Sequence, residues 1–273
     1  MKIVGASGQS PLTLQQKTFV CRLRQSVLSI LFCLYFFSTS TIGACLIALT
    51  RVLLSRRDPQ GRVAHRLTLW LSHHYIMLNP GWRLDIEDLA QVSGKQTFVL
   101  VANHQSLIDV LVLSRLNFYY KWVAKVQIWR MLGVGQLMRI NRYIPLAPGD
   151  MRSVRRMMRR SLRHLQEGTS IFIFPEGERT FDGRLLQFKD GPFKLACATD
   201  TPVLPIAIDG TRHILPRGAW LVDFNRPIKL RILPPVYPSQ VNYNPKEMNR
   251  LVSELIASQL DAPSSSLESE RVA

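Results

Sequence analysis

Acidic residues are scarce in this chain: 19 Asp and Glu stand against 35 Lys and Arg in 273 residues, a formal net charge of +16. Such an imbalance calls for anionic partners, which are nucleic acid, an anionic bilayer or phosphorylated substrates. No basic helix-turn-helix, finger or base-stacking pattern accompanies the charge, so nucleic acid is not expected. Cysteine is scarcer still. Cys21, Cys33, Cys45 and Cys197 show no paired ligand spacing, and Cys33 and Cys45 sit inside an apolar run, so they read as small hydrophobes. Neither a disulfide framework, a redox motif nor a structural metal is expected. The Gly-x-Ser-x-Gly elbow of serine hydrolases is missing and Cys197 has no catalytic context, which argues against a hydrolase. No internal repeat is present.

What is abundant is apolar sequence near the start. Ser26 to Thr50 are twenty-five consecutive uncharged residues, preceded by Lys17, Arg22 and Arg24 and followed by Arg51, Arg56 and Arg57. As one helix this run is about 38 Å long, enough for a hydrocarbon core of roughly 30 Å. Ser38-Thr39-Ser40-Thr41 and Gly43 interrupt it, so two readings stand: a single span, or a helical hairpin dipping into one leaflet. Basic residues at both ends give no clean orientation for a span, whereas a hairpin keeps both ends on the cytoplasmic side. A cleaved signal peptide fits poorly, because the run is long and starts late. The expected organisation is a basic N-terminal segment (1–25), a membrane anchor (26–54), an amphipathic connector (55–81), a catalytic domain (82–260) and a Ser/Glu-rich disordered tail (261–273). In the connector, a helix over Arg62–Leu78 ends at Asn79-Pro80-Gly81, and His65, His73 and His74 read as packed or interfacial.

The catalytic domain alternates strand and helix patterns. Strands are expected at Trp82–Ile86, Thr97–Ala102, Lys121–Ala124, Arg139–Pro145, Ile171–Phe174, Val203–Ile208 and Ile228–Leu233. Helices are expected at Ser106–Leu116, Gln127–Met138, Asp150–Glu167, Gly191–Asp200 and Lys246–Leu260. The alternation predicts an α/β fold with a mixed, mostly parallel central sheet flanked by helices.

Two polar loops follow strand-like runs. The first is Asn103-His104-Gln105-Ser106-Leu107-Ile108-Asp109, the second Phe174-Pro175-Glu176-Gly177-Glu178-Arg179-Thr180. A histidine oriented by a carboxylate can take a proton from a hydroxyl at neutral pH. Residues five apart do not share a helical face, so His104 must lie in the loop and Asp109 on the first helical turn, with Ser106 as N-cap. The simpler alternative is an Asp109 that only complements a helix N-terminus.

These residues resemble the first and third motifs of the glycerolipid acyltransferases, typified by 1-acyl-sn-glycerol-3-phosphate (lysophosphatidate) acyltransferase. Ile140-Asn141-Arg142 resembles the end of the second motif and Pro202-Val203-Leu204-Pro205-Ile206 the fourth, all in family order over Trp82 to Leu233. Glu178 stands where the family has a small hydroxyl residue, Thr180 where Ser is common and Asn141 where Asp is usual. The resemblance implies His104 as general base, Asp109 as its orienting carboxylate, and Arg142, Arg179 and Lys125 as phosphate ligands. Asn103, Glu176 and Gly177 complete the expected substrate-binding set. Glu176 would bind acceptor hydroxyls or lock an arginine, and Gly177 would permit a tight turn. The expected partners are a lysophospholipid acceptor, an acyl-CoA or acyl carrier protein donor and an anionic membrane, with no cofactor and no metal. The acceptor is lysophosphatidate or, given Glu178, another lysophospholipid or an acylated amino-acid lipid; a non-catalytic membrane scaffold, anchored by Ser26 to Thr50, would leave the four motifs unexplained. The expected location is the inner cell membrane, with the catalytic domain on the cytoplasmic side.

One further pattern falls outside the motifs. Arg152, Arg155, Arg156, Arg159, Arg160 and Arg163 recur at helical spacing. They form either a solvated face or a cationic surface for anionic head groups or an acidic carrier.

Overall fold

The computed structural model describes residues 14–88, 96–116 and 118–260. The polar residues at the extreme N-terminus and the tail 261–273 lie outside them. The polypeptide begins with α1 (Leu14–Leu53), a forty-residue helix, followed by α2 (Arg62–Met77). Asp58 caps α2 by accepting the amides of Arg62 and Val63 at 2.9 and 2.8 Å.

The hairpin expected as one alternative for 26–54 is not formed, because α1 runs unbroken through Ser38–Thr41. Thr39 and Thr41 return their hydroxyls to the carbonyls of Tyr35 and Phe37, four residues back, which keeps them satisfied inside an apolar helix. Thr39 and Ser40 also bond the Tyr75 hydroxyl of α2, each at 2.9 Å. The polar interruption is therefore the seam between α1 and α2. Gly43 serves the same seam: a Cβ there would lie 2.6 Å from a Leu71 methyl.

Beyond the breaker at Pro80, β1 (Trp82–Glu87), β2 (Val99–Ala102), α3 (Ile108–Val112), β3 (Tyr120–Lys125), α4 (Val134–Ile140), β4 (Ile144–Leu146), α5 (Met151–Gln166) and β5 (Ser170–Ile173) follow in order. Then come α6 (Gly191–Thr199), β6 (Val203–Asp209), α7 (Thr211–Ile214), β7 (Arg226–Ile232) and α8 (Pro245–Leu260). The seven strands form one sheet in the order β1-β7-β6-β2-β5-β3-β4. Strands β6, β2, β5, β3 and β4 run parallel, while β7 is antiparallel to β6 and parallel to β1. The mixed, mostly parallel α/β expectation is met. Central β2 and β5 are buried on both faces, as their uninterrupted apolar sequences require.

Each sheet face carries its own core. Leu100, Phe172, Leu204 and Ile206 face α1, α2, α3 and α4, whereas Val99, Val101, Ile171 and Ile173 face α5, α6 and α8. The membrane-type helix and the arginine helix α5 thus lie on opposite sides of the sheet.

The strand expected over Arg139–Pro145 is mostly something else. Residues 134–140 are helical, Arg142 turns the chain at φ 51°, and only Ile144–Leu146 pair in the sheet. The helix expected over Gln127–Met138 is split by Gly133 (φ 72°) into a 3-10 segment, Val126–Arg130, and α4. Gly133 is required there, since a Cβ would strike the α1 backbone at Ser40–Thr41.

Candidate active site

Strands β2 and β5 are neighbours in register, Val101 opposite Ile173, so their C-terminal ends deliver the two polar loops to the same edge of the sheet. His104 leaves β2 and stacks face to face on Phe174, which leaves β5, with ring centroids 4.0 Å apart. Its Nδ1 lies 2.8 Å from Asp109 Oδ2. The same oxygen accepts the backbone amides of Gln105 (2.7 Å) and Ser106 (2.9 Å), and Oδ1 accepts the Thr211 hydroxyl at 2.5 Å. Asp109 is therefore fully buried, with both carboxylate oxygens saturated by donors.

The Nδ1 contact puts the imidazole proton on that nitrogen, leaving the Nε2 lone pair to face outward from a ring whose side chain is 15% exposed. Asp109 does both things weighed for it: it accepts the Ser106 amide at the start of α3 and it orients His104. Ser106 is not a simple N-cap, because its hydroxyl donates to Leu215 O at 2.8 Å and only weakly accepts the Ile108 amide at 3.3 Å.

Two of the expected substrate ligands have other tasks. Asn103, 1% exposed, uses its side-chain amide wholly on the backbone of Ile208, donating to O and accepting from N at 2.8 Å each. It fastens the His104 loop to β6 instead of facing a substrate. Glu176 neither binds an arginine nor reaches a free position. It accepts the amides of His104 (2.6 Å) and Leu186 (2.9 Å), tying both loops together. Burial pushes its carboxyl up to about 7, against the two backbone bonds that favour the anion, and nearby Asp109 adds to the rise.

Arg142 is also displaced. It lies on the turn entering β4, beside Lys121 at the start of β3, and is therefore at the opposite edge of the sheet from His104. Arg179 and Lys125 lie at the correct edge. Lys125 ends β3 and, by register, neighbours the Pro175 turn; it is exposed. Arg179 is half-buried near Asp109 and Arg217, and burial followed by Arg217 lowers its pKa, though a guanidinium remains a cation. Among the described residues, neither cation has a hydrogen-bonding carboxylate. Gly177 adopts φ 76° in the turn between them, with the Lys189 ammonium packed where a Cβ would project.

Thr211, Phe174 and Arg217 are site residues that sequence reasoning did not select. Arg217 pairs with Glu178 at 2.8 Å and donates to Arg179 O at 2.6 Å, so the unusual Glu178 is neutralised at the site's rim. Among the described residues no group of three His, Cys, Asp or Glu side chains is placed to hold a metal.

A consequence for stability follows from Glu176. Its proton is retained in the folded protein up to about pH 7 but lost near 4.5 when unfolded, so its contribution falls as pH rises between those values. Thermal melts of wild type and Glu176→Gln in detergent should differ by an amount that shrinks by a few kcal/mol across that window. Buried His65, held neutral down to about 3, imposes an opposite slope on both proteins and cancels in the difference. A pH-independent difference would refute the raised pKa.

Residues 83–209, which carry strands β1 to β6 and both polar loops, match the Acyltransferase family model. Those residues form an acyltransferase domain. The chain is 34% identical over 187 residues to a chloroplastic 1-acyl-sn-glycerol-3-phosphate acyltransferase of Brassica napus, covering 68% of this chain and 54% of that one. It is 30% identical over 236 residues to a chloroplastic 1-acyl-sn-glycerol-3-phosphate acyltransferase of Arabidopsis thaliana, covering 85% and 65%. The chain thus spans between half and two thirds of these relatives. The crystal structure of the 1-acyl-sn-glycerophosphate acyltransferase of Thermotoga maritima superimposes with a TM-score of 0.73 at 25% identity, over 91% of this chain and 98% of that one.

Proposed function

We propose that the protein is a membrane-bound O-acyltransferase that moves a fatty acyl group from a thioester donor to the sn-2 hydroxyl of lysophosphatidate, giving phosphatidate. The observation that carries this reading is the outward-facing Nε2 of His104, backed by buried Asp109, at the same edge as the unpaired Arg179 and Lys125. His104 Nε2 takes the hydroxyl proton as the oxygen attacks the thioester carbonyl. The tetrahedral intermediate then breaks its C–S bond, and the imidazolium returns the proton to the departing thiolate. Asp109 stabilises the transient imidazolium through Nδ1–H. The acceptor oxygen is itself the nucleophile, so no acyl-enzyme is required. Arg179 and Lys125 hold the acceptor phosphate, the first through a fork of donors and the second as a point charge.

The pairing of Glu178 with Arg217 favours a phosphate over an amine-bearing acceptor, since that carboxylate is already engaged. Membrane attachment rests on α1. Its residues from Gln25 to Arg51 make contacts along the domain, while Leu23, Ile30, Leu34, Leu46 and Leu53 stay exposed. A helix bound lengthwise to the domain presents that apolar side to the bilayer together with Trp70 and Met77 of α2. Its basic flanks are consistent with the cytoplasmic side of the inner cell membrane.

The test is acyl transfer by the purified protein in vesicles, with lysophosphatidate competed against lysophospholipids bearing larger head groups. Preferred phosphatidate formation is expected; transfer only to another acceptor, or to water, would reject the reading. Arg179→Gln should raise KM for lysophosphatidate by roughly 10- to 100-fold, the loss of one charge-assisted contact, and leave turnover of an uncharged monoacylglycerol unchanged.

A further inference from the structure

The arginine helix α5 is unused by the reaction just derived. Arg152, Arg155, Arg156, Arg159, Arg160 and Arg163 are all exposed and occupy one stripe of its surface, while Ser153, Met157, Ser161 and Leu165 on the opposite side are buried against the sheet. Among the described residues only Arg156 has a carboxylate within reach, Asp150 at 3.7 Å. Like charges three and four residues apart on a helix repel, so a stripe left this open is destabilising until something anionic covers it.

Three observations say what covers it. First, α5 packs on the sheet face opposite α1 and α2, so a domain that sets its apolar α1 surface on a bilayer turns the arginines away from that bilayer. The covering partner therefore comes from solution. Second, the stripe extends about 17 Å from Arg152 to Arg163, the footprint of an acidic protein helix and more than one nucleotide spans. Third, a groove of about 630 Å³ runs beside it, between Val154 and Met158 of α5 and the segment Gln187–Gly191, with Lys189 and Lys194 on its wall. Lys189 is the residue whose ammonium rests on Gly177, and its amide donates to Pro175 O at 3.0 Å, so the groove ends at the turn adjoining His104. The N-terminus of α5 follows β4 and so lies at this same sheet edge.

Building on the acyltransferase reading above, we infer that the α5 stripe is the docking surface for an acidic acyl carrier protein. The carrier's acidic helix lies on the arginines, and its thioester arm passes along the Lys189 groove toward His104. The donor then arrives from the aqueous side of the sheet and the lysolipid from the membrane side. Complementary charge of this kind acts mainly on encounter and is weakened by salt.

The experiment compares wild type with Arg152→Gln/Arg155→Gln/Arg159→Gln, using acyl carrier protein and acyl-CoA donors of the same chain length. The variant should raise KM for the carrier donor at least tenfold at low salt, with kcat held within twofold. Acyl-CoA kinetics and cosedimentation with anionic vesicles should stay within twofold of wild type, which also shows that the variant is folded. An unchanged carrier KM overturns the inference. So does an equal rise for acyl-CoA, which would assign the stripe to nucleotide phosphates, or a loss confined to vesicle binding, which would assign it to lipid. Wild type that uses acyl-CoA but not the carrier overturns the docking surface and leaves the acyltransferase reading standing; transfer from neither donor sinks that reading as well.

Discussion

His104→Ala should lower kcat for phosphatidate formation by roughly three orders of magnitude or more while the protein keeps its fold. A positioned general base contributes about 10²- to 10⁴-fold, and in the proposed reaction one imidazole serves both proton transfers, to and from the reacting atoms. A loss of 10³ corresponds to about 4 kcal/mol of barrier. Stability should change little, because the ring is partly exposed and its removal leaves Asp109 still accepting two backbone amides and the Thr211 hydroxyl. A melting temperature within a few degrees of wild type, with KM for lysophosphatidate near its original value, is the expected companion result. Residual activity above a tenth of wild type would remove His104 as the base.

The parts of this site legible in the sequence were those whose chemistry needs a particular residue at a particular spacing. His104 with Asp109 qualifies, because only a loop histidine and a first-turn carboxylate can meet across five residues. Arg179 and Lys125 were legible through their motif context. Arg142 was not, since motif order along a chain does not say at which end of a strand a residue lies; entering β4 instead of leaving it put Arg142 at the far edge. Asn103 and Glu176 look like ligand-binding residues because buried polar side chains beside a catalytic histidine usually face a substrate. Here the unmet need was backbone: an amide at Ile208 and two at His104 and Leu186. Thr211 lies 102 residues from Asp109 and gives no local signal.

The fold shows the same division. Strands buried on both faces were visible as unbroken apolar runs, and the six-arginine period of α5 reproduced its boundaries to within a residue. The segment between β3 and α5 was misread because Leu137 to Leu146 is apolar enough for either period. What decided it was a glycine needed for contact with α1 and a left-handed residue at Arg142, neither of which periodicity reveals. Likewise Ser38–Thr41 suggested a break in a lone helix, whereas α2 supplies a tyrosine that satisfies two of those hydroxyls.

Asp109→Asn is the sharper test of how the site works, because its geometry predicts a folded protein that has lost most of its activity. The carboxamide oxygen can occupy the Oδ2 position, where His104 Nδ1 and the amides of Gln105 and Ser106 all donate. The amide nitrogen then faces Thr211, whose hydroxyl can rotate from donor to acceptor. Every bond is retained in form, so melting should shift by only a few degrees. What disappears is the negative charge that stabilises the imidazolium. Within a fully buried position that charge is poorly screened, and kcat should fall by roughly 10² to 10⁴. Thr211→Val separates the two contributions. It keeps the charge and removes one donor, so it should cost no more than about tenfold in kcat. Combined with Asp109→Asn it leaves the new amide unpaired, and the double variant should melt well below the sum of the single shifts. Near-wild-type turnover in Asp109→Asn would show that the carboxylate serves only the helix start, the simpler role first available to it.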